Sequence, residues 1–535
     1  MKYGASCITY RLWNCVICLH LIISGIVGYD RRGVSIISVI IGDNPGYGYF
    51  AQSPAYDVAL ARALRTFPST LSQVRRLSVY KPGNYSCPEA AALMPILAME
   101  VDQLIRDNPQ DFTVLITSGC SLEIIALGDF AREWDVPLMA VIAIDLSLTN
   151  TQRFPTVVTF PSSDQLSLVR ATLALFQRYS WSTVSLLCED VNPNRADNAL
   201  FYITTCGGFT NALRKSSQID NLNVLYFAAQ TANNESFENV LQTAGNQSRV
   251  ILLLVATTRR LRDVMITADR LNMTSGDYIF IAPRSPAIPS EGALQWRFNV
   301  TSDEQAFTAF HSLITVSNPI PRWNVITALM NEIRNQSQFV YNRTLTVADS
   351  INDVTVSAAE VMSSVTEVLS QFSSRQLEAM TGKDFRKYFL NRTFELDSRS
   401  VFIGPKGMRV CDVDLYRMNV TNGEMEIVWQ YKSVSDTFRQ TSQQNVIWRS
   451  QNGPPINRPV CGFRGDRCIG SLEKSGVTTT AAVLTVLVSF IFGAGIFWFS
   501  RQHMNESVWW LLEEMRLLSV ITHSKLDTFQ SVQRP

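Results

Sequence analysis

The chain has 535 residues, of which 46% are hydrophobic and 17% charged, and its net charge of +1 sits with an isoelectric point near 7.5. That balance gives no electrostatic reason to expect nucleic acid or an anionic membrane surface as a partner. The length supplies apolar residues for more than one core and excludes a minimal single-core domain.

The first segment is short and apolar. Lys2 and Arg11 precede residues 12–27, which carry only Asn14, His20 and Ser24 as polar interruptions, and Gly25 and Gly28 are small enough for cleavage. The pattern predicts a secretory signal peptide over 1–28, with an uncleaved anchor as the alternative. Export predicts an extracellular region over 29–460, in which short apolar runs alternate with helical spacing.

Residues 34–41 (VSIISVII) read as a buried strand, 42–50 as a turn, and 54–65 as a helix. A strand at 77–80, a helix at 89–106, a strand at 112–117, a helix at 121–133 and a strand at 137–144 follow. The pattern then repeats. Helices are predicted at 164–179, 196–214, 237–243 and 258–271, and strands at 183–188, 223–228, 250–256 and 278–282. Residues 302–390 are helix-rich, and 410–417 and 426–431 look like late strands returning to one or both lobes. Continuous apolar strands between helices belong to parallel sheets covered on both faces, and two successive sets predict an α/β chain of two doubly wound lobes.

The same region is dense in N-x-S/T triplets. Asn84, Asn234, Asn246, Asn272, Asn299, Asn335, Asn342, Asn391 and Asn419 each begin one, which predicts a glycosylated outer surface. Asn505 begins another, on the far side of the expected membrane. Cys7, Cys15 and Cys18 fall in the signal segment, leaving Cys87, Cys120, Cys188, Cys206, Cys411, Cys461 and Cys468 in an oxidising compartment. Cys461–Cys468 is expected as a small local loop. Cys87–Cys120 and Cys188–Cys206 are the next pairings, with Cys206–Cys411 as a competitor, and an odd cysteine is left free, buried or paired between chains.

Residues 461–476 form a juxtamembrane cysteine loop and stem. Residues 477–499 follow without a charge, long enough to cross a bilayer, where roughly 20 apolar residues suffice. Arg501 follows this run, which places 500–535 in the cytosol. In that tail, 508–521 (VWWLLEEMRLLSVI) has an amphipathic pattern, with Trp509 and Trp510 suited to anchoring at the inner leaflet or to contacting a partner.

Catalytic groups are scarce. Of four histidines only His311 lies in the expected ectodomain, and it reads as a surface or packing residue because no G-x-S-x-G elbow accompanies it. Zinc-ligand spacing and phosphate-binding glycine motifs are both absent, so no metal and no cofactor is expected. Glu189 and Asp190 read as a solvated strand end.

The segment PVCGFRGDRC (459–468) before a membrane helix resembles the juxtamembrane loop of receptor guanylate cyclases and natriuretic-peptide receptors, with the nematode-type set most similar. ITSGCS (116–121), RYSWSTVSLL (178–187), LNRTF (390–394) and FIGPKGMRVCDVDL (402–415) resemble the family's ligand-binding region in the same order. The resemblance implies a type I periplasmic-binding-protein fold, a homodimer or a heterodimer with full-length receptor cyclases, and an extracellular ligand. Family members carry kinase-homology and cyclase domains after the membrane, for which 500–535 has no room, so the expectation is a non-enzymatic receptor. It also implies an anion site whose backbone donors fall at Gly119 and Cys120. The hydroxyl partner falls near Gly48, with Ser53 close in sequence. Read on their own, residues 118–120 are a strand-end turn and a disulfide.

The function expected is a single-pass plasma-membrane receptor for an extracellular peptide or small molecule, acting as decoy, clearance or partner receptor. A fragment of a receptor cyclase and a non-signalling adhesion ectodomain are the alternatives.

Overall fold

The computed structural model describes residues 33–468, apart from 143–144, 191–198, 215–218, 220, 231–233, 256, 285–293, 345–351, 442–447 and 450–452, together with 484–498. The signal segment, most of the stem and the tail, including 508–521 and Asn505, lie outside the described residues.

Strand β1 (Gly33–Ile41) shows why the first apolar run is continuous. Ile36 and Ile40 enter one core, while Ile37, Val39 and Ile41 enter another on the opposite face. Alternate side chains point to opposite faces, so a strand buried on both sides is nearly all apolar, and the two buried serines of β1 are hydrogen-bonded, Ser35 to the Asp111 carboxylate and Ser38 to the Leu77 carbonyl. With β2 (Val74–Lys81), β3 (Asp111–Thr117), β4 (Leu138–Ala140) and β5 (Val157–Thr159) it forms an all-parallel sheet in the order β2-β1-β3-β4-β5. Helices Cys87–Asp107 and Ser121–Glu133 contribute to one core, and Tyr49–Thr66 and Asp353–Leu369 to the other.

The second lobe repeats the plan. Its parallel strands are β6 (Thr183–Asp190), β7 (Asn223–Gln230), β8 (Val250–Leu254), β9 (Ile279–Pro283) and β10 (Leu313–Ser317). In β8, Val250, Leu252 and Leu254 enter one core, and Ile251 and Leu253 the other.

The chain then returns to lobe 1. Helices Thr327–Tyr341 and Asp353–Leu369 pack there, and a small antiparallel sheet of β11 (Arg392–Glu395), β12 (Ser400–Ile403) and β13 (Arg409–Val410) adds Phe394, Val401 and Ile403 to the lobe 1 core. A last passage to lobe 2 adds β14 (Val413–Met418), β15 (Met425–Lys432) and β16 (Thr437–Gln440) antiparallel beside β10. Three crossovers therefore join the lobes, at 160–164, 318–322 and 411–412.

Some boundaries differ from the sequence reading. The first helix begins at Tyr49, inside the expected turn, and β4 keeps only three residues of the predicted 137–144 strand. Strand β10 lies within the stretch read as helical, and β5, β11, β12 and β16 were not anticipated.

Residues 459–468 belong to a separate compact unit, where Cys461 and Cys468 are bonded and the Arg467 N–H donates to the Cys461 carbonyl at 2.9 Å. Of the expected span 477–499, residues 484–498 are described, as an exposed helix. No helix among the described residues is long and apolar enough to cross a membrane.

Candidate ligand-binding cleft

The crossovers orient the two sheets. The first leaves the carboxyl end of β5 and the second leaves the carboxyl end of β10, so both lobes turn the carboxyl ends of their parallel strands toward the joint. Ligands of open α/β sheets bind outside those ends.

In lobe 1 the rim is built from the ends of β1 and β3. Gly48 closes the loop after β1, donating its N–H to the Asn44 carbonyl at 2.7 Å, and a Cβ there would stand 2.4 Å from the Asn44 nitrogen. No side chain fits at Gly48. Ser53, a few residues on, is fully buried in the first helix, and its Oγ has no hydrogen-bond partner among the described residues. The Ser118 hydroxyl donates to the Tyr47 carbonyl at 2.8 Å and fastens the β3 tip to that loop.

The two amides expected to hold an anion are engaged within the chain. The Gly119 N–H donates to Thr117 Oγ1 at 3.1 Å, and the Cys120 N–H donates to Glu123 Oε1 at 2.8 Å. Glu123 is the third residue of helix Ser121–Glu133, so its carboxylate reaches back over the helix N-terminus, where the backbone dipole favours negative charge. It is buried, Oε2 has no hydrogen-bond partner among the described residues, and burial pushes its pKa up to about 7 against the lowering effect of the Cys120 N–H. Sequence reasoning passed over Glu123, although the C-x-x-E spacing carries the capping signal. The Cys87–Cys120 disulfide joins the N-terminal ends of two helices beside it.

In lobe 2, Cys188 is bonded to Cys206, and Glu189 is the last residue but one of β6. The solvated reading of Glu189–Asp190 is corrected. Glu189 is only 7% exposed and pairs with Arg260 at 3.2 Å, while Asp190 is exposed. Thr257 caps the helix that carries Arg260, its Oγ1 accepting the Arg260 N–H at 3.1 Å, and the Arg260 guanidinium lies 5.2 Å from the Phe237 ring centre. His311 packs edge-on against Phe307, and burial, with Arg449 and Arg417 nearby, lowers its pKa. Its Nε2 meets no hydrogen-bond partner among the described residues, so no nucleophile–base pair is built on it.

The joint itself is polar and tight. Asn318, in the second crossover, accepts from the Ser163 hydroxyl and the Asp164 N–H, both at 2.9 Å, and donates to the Asp412 carbonyl at 2.8 Å. One amide thus ties all three crossovers. Cys411 remains unbonded and buried, its thiol directed at the Pro161 carbonyl at 3.9 Å, and burial pushes its pKa up to about 12. On the lobe 1 side, Arg399 pairs with Glu360 at 2.8 Å and Asp353 at 2.5 Å, and Arg409 pairs with Glu360 at 3.0 Å. Arg399 also donates to the Pro319 carbonyl at 3.1 Å, linking this buried network to the second crossover.

Of the sequon asparagines, Asn84, Asn246, Asn272, Asn299, Asn335, Asn342 and Asn391 are exposed and Asn419 is half-buried. The side chain of Asn234 lies outside the described residues.

Two interleaved α/β lobes whose parallel strands turn their carboxyl ends toward the joint form the arrangement in which open α/β sheets bind ligands. The chain belongs to the receptor family ligand binding region, which matches residues 56–421. It is similar to human atrial natriuretic peptide receptor 3, with 22% identity over 411 residues that cover 75% of this chain and 72% of the relative. Bovine atrial natriuretic peptide receptor 2 is 23% identical over 522 residues, covering 91% of this chain and 46% of the relative. The Caenorhabditis elegans receptor-type guanylate cyclase gcy-20 is 22% identical over 479 residues, covering 81% of this chain and 40% of the relative.

Proposed function

We propose that the chain is a glycosylated cell-surface receptor, held by a single membrane helix over 477–499, that binds an extracellular peptide or small molecule with its two-lobed region and performs no chemistry on it. The observation that carries this reading is the family match across both lobes, together with coverage of most of a natriuretic peptide receptor. The exposed sequon asparagines support passage through the secretory route, and the uncharged run at 477–499 supports the anchor. In this reading the receptor works as a homodimer, or pairs with a full-length receptor cyclase, as a decoy, clearance or partner receptor.

A second reading, a portion of a receptor guanylate cyclase, is favoured by the 81% of this chain that aligns with 40% of the receptor-type guanylate cyclase gcy-20. The transcript separates them, because continuation beyond Pro535 into a kinase-homology region would favour the second, and a binding and activity assay of this chain tests the first. Cells displaying the chain should bind labelled secreted peptides saturably above mock cells, while their membranes form no more cyclic GMP than mock membranes with manganese present. Cyclase activity that survives deletion of endogenous cyclases would overturn the non-enzymatic reading.

A further inference from the structure

The disulfide loop that follows the lobes carries three residues that the cleft does not use, and it lies beyond the family match, which ends at residue 421. Residues 461–468 read CGFRGDRC, so Arg464, Gly465 and Asp466 stand between the bonded cysteines Cys461 and Cys468. Two backbone hydrogen bonds fold the chain inside that bridge. The Gly465 N–H donates to the Gly462 carbonyl at 3.2 Å, and the Arg467 N–H donates to the Cys461 carbonyl at 2.9 Å. Neither bond involves the side chain of Arg464 or Asp466. Gly462 and Gly465 both take left-handed backbone, with φ of 75° and 73°. A Cβ at Gly462 would stand 2.8 Å from Asp466 Oδ1, so this glycine makes room for the carboxylate, whereas a Cβ at Gly465 would meet nothing within 4 Å. Arg464, Gly465, Asp466 and Arg467 are all exposed.

We propose that this loop is a docking site for a second cell-surface protein, one that presents a bound divalent cation beside an acidic pocket. The Asp466 carboxylate completes the coordination of the partner's cation, since hard divalent cations take carboxylate oxygens. The Arg464 guanidinium pairs with the partner's carboxylate, for which its planar fork of donors is suited. Gly465 puts no side chain between the two opposite charges, so both groups of the partner can close on the loop backbone. The bridge and the two backbone bonds hold the turn before the partner arrives, which lowers the cost of ordering it. The mixed signs select this partner over an anionic lipid surface, which would attract Arg464 and Arg467 and repel Asp466.

Only the display of the loop outside the cell rests on the proposed function, and the test removes that dependence by using the purified full chain in detergent, captured through a C-terminal tag. The probe is the purified ectodomain of a cell-adhesion receptor that reads Arg-Gly-Asp turns, with manganese present. It should bind saturably, be released by EDTA, and be displaced by a cyclic Arg-Gly-Asp peptide but not by its Arg-Gly-Glu counterpart. Asp466→Glu keeps the charge but moves the carboxylate by about one bond, roughly 1.5 Å, and should weaken binding by about tenfold or more. Opening the loop with Cys461→Ser and Cys468→Ser together should cost about tenfold through lost pre-organisation. Arg467→Ala, outside the three-residue run, should bind as the wild type does. Near-ultraviolet circular dichroism matching the wild type shows that each variant is folded. Absence of saturable binding, binding that survives EDTA, or wild-type affinity in Asp466→Glu overturns the proposal. A chain that binds no secreted peptide in its cleft leaves these outcomes unchanged, so the two readings fail separately.

Discussion

Replacing Arg399 by methionine should unbalance the most deeply buried charge cluster beside the joint. Two carboxylates, Asp353 and Glu360, face two guanidiniums, Arg399 and Arg409, and all four residues are buried. The substitution deletes the Nε and Nη2 bonds to Glu360 at 2.8 and 3.2 Å, the bond to Ser357 at 3.0 Å and the bond to Pro319 at 3.1 Å. It leaves two buried carboxylates sharing one guanidinium. Breaking a buried pair from one side costs about 3–5 kcal/mol, because the surviving charge stays desolvated. Burial already raises the Asp353 pKa, an effect that Arg399 opposes, so losing Arg399 raises it further. An acid whose folded pKa is raised holds its proton in the native state where the unfolded chain has released it, so stability falls as pH rises through that window. The variant's deficit should therefore be larger at pH 8 than at pH 5. The assay is urea unfolding of the purified chain followed by near-ultraviolet circular dichroism at both pH values. Adding Asp353→Asn to the same chain restores charge balance and should recover about 1–3 kcal/mol, a coupling expected of direct neighbours. A deficit below about 1 kcal/mol, or one equal at both pH values, would refute the account.

Two further outcomes follow from buried groups near the cleft. Glu123 has its folded pKa raised to about 7 by burial, so wild-type stability should fall as pH rises from the ordinary carboxylate range toward 7 and level off above it, whereas Glu123→Gln should lose that slope, as thermal midpoints across the range will report. Cys411, buried with a thiol pKa of about 12, should resist maleimide in the native chain at neutral pH and react fully once the chain is unfolded; stoichiometric labelling within minutes under native conditions would contradict its position in the joint.

What the sequence made legible was whatever depends on neighbours along the chain. Strand β8 is a continuous apolar run, and β1 one broken only by Ser35 and Ser38, because each is buried on both faces, and that pattern survives without any knowledge of the partners. Strand β10 (LITVS) is equally buried, yet its five residues lie between two helical stretches and were absorbed into them. The first helix hid behind glycines, since Gly48 is required by the close approach of Asn44 and made the helix start look like a longer turn. The cleft was less legible. Glu189 is buried because Arg260 comes back from 71 residues away, and a doublet of acids at a strand end carries no mark of that. Asn318 draws on Ser163, Asp164 and Asp412, partners about a hundred residues or more distant, and nothing in its local sequence distinguishes it from a loop asparagine.

The same contrast bears on how such a receptor would respond to a ligand. The lobes are held by large apolar cores, disulfides and, in lobe 1, a buried ion network, none of which can be exchanged without unfolding. The amide tie at the joint consists of three neutral hydrogen bonds from a single side chain. At a net worth of about 0.5–1.5 kcal/mol each, the three together oppose rearrangement by about 1.5–4.5 kcal/mol. A ligand shifts a two-state equilibrium only by its differential affinity for the two arrangements, and that range corresponds to a preference of about 10- to 2,000-fold. A cleft ligand of ordinary affinity can supply it by contacting the β3 tip in lobe 1 and the β6 tip in lobe 2 together in only one of the arrangements. If charged pairs had tied the crossovers instead, the corresponding threshold would have risen toward the 3–5 kcal/mol of a broken buried pair for each one. The three neutral bonds of Asn318 therefore set a threshold that a cleft ligand can meet, to which the Arg399 bond to the Pro319 carbonyl adds one charge-assisted contact.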